Sequence, residues 1–212
     1  METIFARASA QGKAGVSLIR LSGPHAFGCA KQMVGFIPKP RIATLADLIG
    51  EDNQIIDQAI VVCFNAPHSF TGEDVVEFHV HGSRAVIDAI HKCISNINNC
   101  RLAEPGEFTK IAFQNGKINL LKAESISDLI ASETEIQRHQ AIKLMSGVSA
   151  LKFNLLREKL IKILSNIEAK IDFPEEELPN DIVSKIKEES KNIRNEIKKI
   201  LNDQKVGEKI RE

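Results

Sequence analysis

The chain has 212 residues, 43% of them hydrophobic, enough to bury a core in one large domain or two small ones. Lysine plus arginine equals aspartate plus glutamate at 28 each, which excludes an overall field that would draw the chain to nucleic acid or an anionic membrane, so any such contact must be local. No apolar run approaches the ~20 residues of a membrane span, and the N-terminal stretch is too polar for a signal peptide, so a cytoplasmic location is expected.

In chain order, Thr3-Arg7 and Val16-Ser22 read as strands, with Gly12 and Gly15 turning the chain between them. Gly12-Lys13-Ala14-Gly15 does not meet the GxxxxGK[ST] spacing of a phosphate loop. A helix is expected over Pro24-Val34, with Pro24 in its first turn. A short strand near Thr44-Ile49 and another over Ala59-Phe64 follow, and Glu51-Asp52-Asn53-Gln54 offers the turn before the second. Thr71-Gly72 is a further turn, leading into a strand over Asp74-Val80, and Gly82-Ser83 caps a helix over Ser83-Ile97. Cys29, Cys63, Cys93 and Cys100 show neither a CxxC pair nor a zinc-like spacing and read as reduced and mostly buried.

From Glu107 onward strand signals stop. Pro105-Gly106-Glu107-Phe108 turns into a helix, with Glu107 in the first turn, where the helix dipole favours a carboxylate, and Asn115-Gly116-Lys117 reads as the turn to the next helix. Leu156, Leu160, Ile163, Ile167 and Ile171 form the stripe of a long amphipathic helix, which Asp172-Phe173-Pro174 breaks. Ile182, Ile186, Ile193, Ile197 and Ile200 form a second stripe, opposite a solvated face of mixed charges. Two or three helices leave such stripes partly uncovered, so another subunit or further chain is expected against them.

Strand period places Val76, Phe78 and Val80 on one face of the strand and Glu77, His79 and His81 on the other. That polar face suits either a metal or, more simply, a hydrogen-bonded surface. The Glu77 carboxylate could also accept from an amidine-like edge such as that of a pterin or guanine. Arg20 stands among Leu18, Ile19 and Leu21, which implies either an anionic partner or a solvated position on an edge strand. Lys117 lies at a helix junction where it could reach an anion.

Four ordered blocks, GVSLIRLSGP at 15–24, FTGEDVVEFHVHG at 70–82, RLAEPGEFTKIAFQNGKINLLKAESISDLI at 101–130 and IEAKIDFPEEELP at 167–179, resemble the tRNA-modification GTPases called MnmE or TrmE. The resemblance implies an α+β chain: residues 1–117 a mixed α/β folate-binding domain of aminomethyltransferase-like shape, which dimerises, and residues 118–212 the first part of a helical bundle. The implied ligand is 5-formyl- or 5,10-methylene-tetrahydrofolate. By position in the family's motifs its binding residues are Arg20, Glu77 and Lys117, with no catalytic and no metal residue assigned. Glu77 is expected to accept from the pterin edge, and Arg20 or Lys117 to pair with anionic or carbonyl oxygens. Ala14, Ser83, Ile111 and Gln114 depart from the family's pattern, and Ile111 removes a charge near the expected site.

The same resemblance implies wobble-uridine modification by the full-length protein as a homodimer, with a flavoprotein of the MnmG or GidA type and tRNA as partners. GTP, Mg2+ and K+ would bind in a GTPase domain. The sequence given stops at Lys209-Ile210-Arg211-Glu212, about where that domain would begin, so no GTP hydrolysis is expected of it alone. Two rival readings are a stand-alone folate-dependent aminomethyltransferase-like protein and a non-catalytic dimerisation remnant.

Overall fold

A computed structural model describes residues 2–172 and 181–202. The architecture is α+β, and the chain divides into two compact units, Met1–Asn119 and Leu120–Glu212.

The first unit is built on a six-stranded mixed sheet in the order β3-β4-β5-β2-β1-β6. Its strands are β1 (Thr3–Arg7), β2 (Ala14–Ser22), β3 (Thr44–Ile49), β4 (Ile55–Phe64), β5 (Val75–Gly82) and β6 (Cys100–Leu102). All neighbours are antiparallel except β1 and β6, which run parallel. Helices α1 (Ala26–Val34) and α2 (Arg84–Ser95) supply Ala30, Met33, Ile90 and Ile94 to the core formed with the sheet's Phe5, Ile19, Leu21, Val61, Val76, Phe78 and Val80. Phe78 is fully buried, which stabilises the fold by about 1.5–3 kcal/mol relative to an exposed ring. The predicted alternation of β5 is therefore present, with Val76, Phe78 and Val80 inward. Each thiol is free; Cys29 and Cys63 are buried, while Cys93 and Cys100 are half-buried. Burial pushes the Cys29 thiol up to about 12, and its Sγ lies 3.4 Å from that of Cys100.

Strand β2 begins at Ala14 rather than Val16, so Gly15 lies in the strand and not in the turn before it, and β5 continues to Gly82. Three further elements also differ from the sequence-based expectation. The first helix begins at Ala26, because Gly23, Pro24 and His25 form a turn closed by the Ala26 amide on the Gly23 carbonyl (3.1 Å). The fourth strand starts at Ile55 rather than Ala59, directly after the turn in which Asn53 takes φ 58° and the Gly50 amide bonds Gln54 O. Strand β6 has no signal in the sequence: its Cys-Arg-Leu is too short for alternation to show, and it is a strand through its ladder with β1. Helix α2 does open as expected on Ser83, whose hydroxyl accepts from the Val86 amide at 3.2 Å.

A short helix, α3 (Glu107–Gln114), completes the first unit. The second unit contains α4 (Leu120–Ala131), α5 (Glu135–Met145), α6 (Val148–Asp172) and α7 (Ile182–Leu201). Helix α5 opens on a capping box: Thr134 Oγ1 accepts from the Gln137 amide, and the Gln137 side chain accepts from the Thr134 amide. Between α6 and α7 only Leu156, Ile163 and Ile193 are buried among the described residues, with Ile186 against them. Leu160, Ile171 and Ile200 of the same stripes stay exposed, as two helices facing one another require. The charged face of α7 is tied to α6 by Lys159 Nζ to Glu196 Oε2 (2.7 Å) and to its own first turn by Lys185 to Asp181 (2.7 Å). The expected break at Phe173-Pro174 and the terminal residues 209–212 lie outside the described residues.

Candidate functional site

Glu77 sits on β5 directly opposite Arg20 on β2, and the row continues to Val62 on β4 and Ala6 on β1. Side chains paired in this way share a face of the sheet. Since Ile19, Leu21, Val76 and Phe78 point to the helices, Arg20 and Glu77 stand on the other face. There Arg20 Nε and Nη2 both approach Glu77 Oε1 at 2.8 Å. The pair is partly shielded, with side-chain exposures of 24% and 15%. The apolar neighbourhood of Arg20 thus does signal an anionic partner, and β2 is an inner strand of the sheet.

Two aromatic rings border this pair. The Arg20 guanidinium lies 5.6 Å from the centre of Phe70 and 5.8 Å from that of Phe108, within cation–π range. Sequence reasoning misses both rings, although Phe70 opens the 70–82 block and Phe108 lies in the first turn of α3. An aromatic beside a glycine turn is the available signal. The second Glu77 oxygen, Oε2, is 3.6 Å from His79 Nε2, too far for a direct hydrogen bond, so this acceptor is open to a donor from outside. His81 is engaged elsewhere, with Nδ1 2.8 Å from Asp57 Oδ1 and its amide donating to Asp57 Oδ2 at 2.7 Å. Among the described residues no group of three or more His, Cys, Asp or Glu side chains is arranged to hold a metal ion.

The loop between β4 and β5 connects this pair to Lys117. It runs through a cis Ala66-Pro67 peptide, and Gly72 adopts φ 82°, a left-handed conformation suited to glycine. A Cβ at Gly72 would stand 3.2 Å from Lys117 Cγ and Cδ, so the missing side chain leaves room for the lysine stem. Lys117 Nζ then donates to Pro67 O at 2.8 Å, and Asn115 Nδ2 donates to Thr71 O at 2.8 Å. Buried Thr71 anchors the loop to the end of β2: Ser22 donates to Glu73 Oε2 at 2.8 Å, so the Thr71 hydroxyl donates to Ser22 at 2.6 Å. One loop therefore carries Phe70 to Arg20 and Thr71-Gly72 to Asn115 and Lys117. Lys117 itself is exposed and keeps two N–H donors free of the Pro67 bond.

Glu107 belongs to a neighbouring structural cluster. Its two oxygens accept from Arg101 Nη1 (2.9 Å) and Nη2, and Oε2 also accepts from the Glu104 amide at 2.7 Å. The Arg101 guanidinium holds the Glu107 carboxyl down at about 2. Dipole stabilisation in the first turn of α3 is the smaller part of its role.

Residues 3–117 match the family model described as GTP-binding protein TrmE N-terminus, and residues 120–212 that of the MnmE helical domain. The chain is 58% identical over 212 residues to the tRNA modification GTPase MnmE of Pelagibacter ubique, a match covering 99% of this chain and 48% of the relative. It is 46% identical over 211 residues to that of Roseobacter denitrificans, covering 100% and 49%, and 47% identical over 210 residues to that of Rickettsia akari, covering 98% and 47%. The chain spans about half the length of these curated relatives.

Proposed function

The chain belongs to the MnmE (TrmE) family, and on that premise we propose that its first unit binds a reduced folate, 5-formyl- or 5,10-methylene-tetrahydrofolate, through Arg20, Glu77 and Lys117. The observation that carries this reading is the Arg20–Glu77 pair, half-shielded between Phe70 and Phe108, with Glu77 Oε2 open. The donor set fits a pterin. A carboxylate accepts from the amidine-like N–H edge, and Phe70 and Phe108 offer apolar surface to a flat ring. Arg20, at 2.8 Å from Oε1, holds the carboxylate in orientation while the ligand approaches. Lys117 is the cation for the ligand's carbonyl or carboxylate oxygens, using the two donors not spent on Pro67 O. A bound folate would supply a one-carbon unit; these residues would hold and orient it.

In this reading the chain serves tRNA wobble-uridine modification as the dimerising, folate-binding portion of a protein that also carries a GTPase domain and works with an MnmG-type flavoprotein. The domain limits proposed are residues 1–117 and 118–212, within the cytoplasm. The 212 residues contain no GxxxxGK[ST] run, so this chain is expected to release no phosphate from GTP above a buffer control.

Calorimetric titration with 5-formyl-tetrahydrofolate tests the binding. Saturation in the micromolar range is expected for the parent. Loss of a charge-assisted hydrogen bond, about 1.5–3 kcal/mol, should weaken Glu77→Ala by about tenfold or more. An E77A chain that binds as tightly as the parent would sink the assignment of Glu77, and no saturation by the parent below millimolar would sink folate binding itself.

A further inference from the structure

On the helix-covered side of the sheet a cavity of about 580 Å³ is lined by Arg7, Gln11, Gly12, Lys13, Arg84, Ile87, Asp88 and His91. Arg7 ends β1 in register with Ile19, whose side chain faces the core, so the two share a face. Ala6 is paired with Arg20, and this cavity is therefore on the opposite side of the sheet from the Arg20–Glu77 pair. Three cations reach it from three elements: Arg7 from β1, Lys13 from the β1–β2 turn, and Arg84 from the first turn of α2. The acid among the lining residues, Asp88, lies 3.4 Å from Arg84 and offsets one of the three. In a chain of zero net charge, this is a local positive surplus.

The cavity also holds unspent hydrogen-bonding capacity. His91 Nε2 is the buried side-chain nitrogen that lacks a partner among the described residues, its ring packed edge-on to Phe5 at 5.4 Å. In the tautomer that carries its proton on Nε2, that buried N–H has no acceptor, which is costly, and a ligand oxygen that reached it would satisfy it. Arg7 pins the turn by donating from Nη2 to Gly12 O at 2.9 Å. Gly12 takes φ 118°, and a Cβ there would meet nothing within 4 Å, so a ligand can approach this backbone closely. Two long-chain cations, a pinned guanidinium, an imidazole and an open glycine turn suit a phosphate group.

We infer that this cavity is a phosphate-binding site that takes the phosphodiester backbone of RNA, in a position separate from the folate-facing side of the sheet. The choice of RNA as the source of the phosphate rests on the tRNA-modification reading above; the phosphate chemistry does not.

The test is fluorescence anisotropy of a labelled tRNA with the 212-residue chain, across a salt series, for the parent and Lys13→Ala/Arg84→Ala. Both side chains are exposed, so the variant keeps its fold, which circular dichroism verifies. The expected result is an affinity lower by about tenfold or more, with the slope of log K against log salt shallower by about 2. Unchanged affinity and slope overturn the proposal. Inorganic phosphate that shifts the His91 imidazole NMR signals while tRNA does not bind would assign the site to free phosphate and overturn RNA. E77A is measured in parallel: it should lose folate and retain tRNA, so failure of either reading shows up separately.

Discussion

Glu107 is the ionisable side chain whose environment changes it most in a direction that matters for acid stability. Its carboxyl sits at about 2 instead of 4.5, chiefly because Arg101 donates to it. The folded-state value is below the unfolded one, so the contribution is complete above pH 4.5 and disappears as the pH falls through about 2. Urea midpoints of the parent should therefore decline more steeply across that window than those of Glu107→Gln. At pH 7 that variant should be less stable by on the order of 1 kcal/mol. Parallel pH profiles for the two chains would rule out this role for the pair. At this scale the candidate site is half legible in the sequence: Arg20 among apolar neighbours announces an anionic partner, and period two places Glu77 on the face away from Val76 and Phe78. Phe70 and Phe108 are not legible, because they are 38 positions apart in sequence and only the loop anchored through Thr71 and Ser22 brings both to one guanidinium.

Elements are held in place here by a few backbone requirements as much as by the core. Gly23, at φ 136°, closes the passage from β2 to α1, and a Cβ there would stand 2.7 Å from the Thr3 Cα on the neighbouring strand. Gly23→Ala should cost about 2–4 kcal/mol, seen in chemical denaturation, because neither backbone can yield without disturbing the β1 ladder. Ser83→Ala removes the cap of α2 and should cost about 1 kcal/mol. A Gly23→Ala chain as stable as the parent would show that the turn relaxes freely. Elements with their own periodicity, such as β5 and α6, are readable from sequence. Elements defined by a partner are not: β6 exists through its pairing with β1, and α1 begins late because its turn, with Thr3 Oγ1 accepting from the His25 amide at 2.8 Å, is fixed by a different strand.

Across the whole molecule, the two compact units carry separate cores, one around Phe5, Ile19 and Phe78 and another around Leu156, Ile163 and Ile193. The folate reading places each of its three residues in the first unit. A chain ending at Asn119 is therefore expected to melt cooperatively and bind 5-formyl-tetrahydrofolate within about threefold of the 212-residue chain, a difference under about 1 kcal/mol. Failure of that shorter chain to bind would place part of the ligand's contacts beyond residue 119. Within the first unit, β1 is flanked by β2 on one side and by β6 on the other, and Arg101 donates to Glu2 across 99 residues of chain. Strand β1 thus gains its second neighbour only when β6 has emerged from the ribosome. Pairings so distant in sequence close large loops before they are rewarded, which slows folding toward the millisecond-to-second range. The order of synthesis and the order of this sheet are at odds, and nascent β1 must wait with one edge exposed.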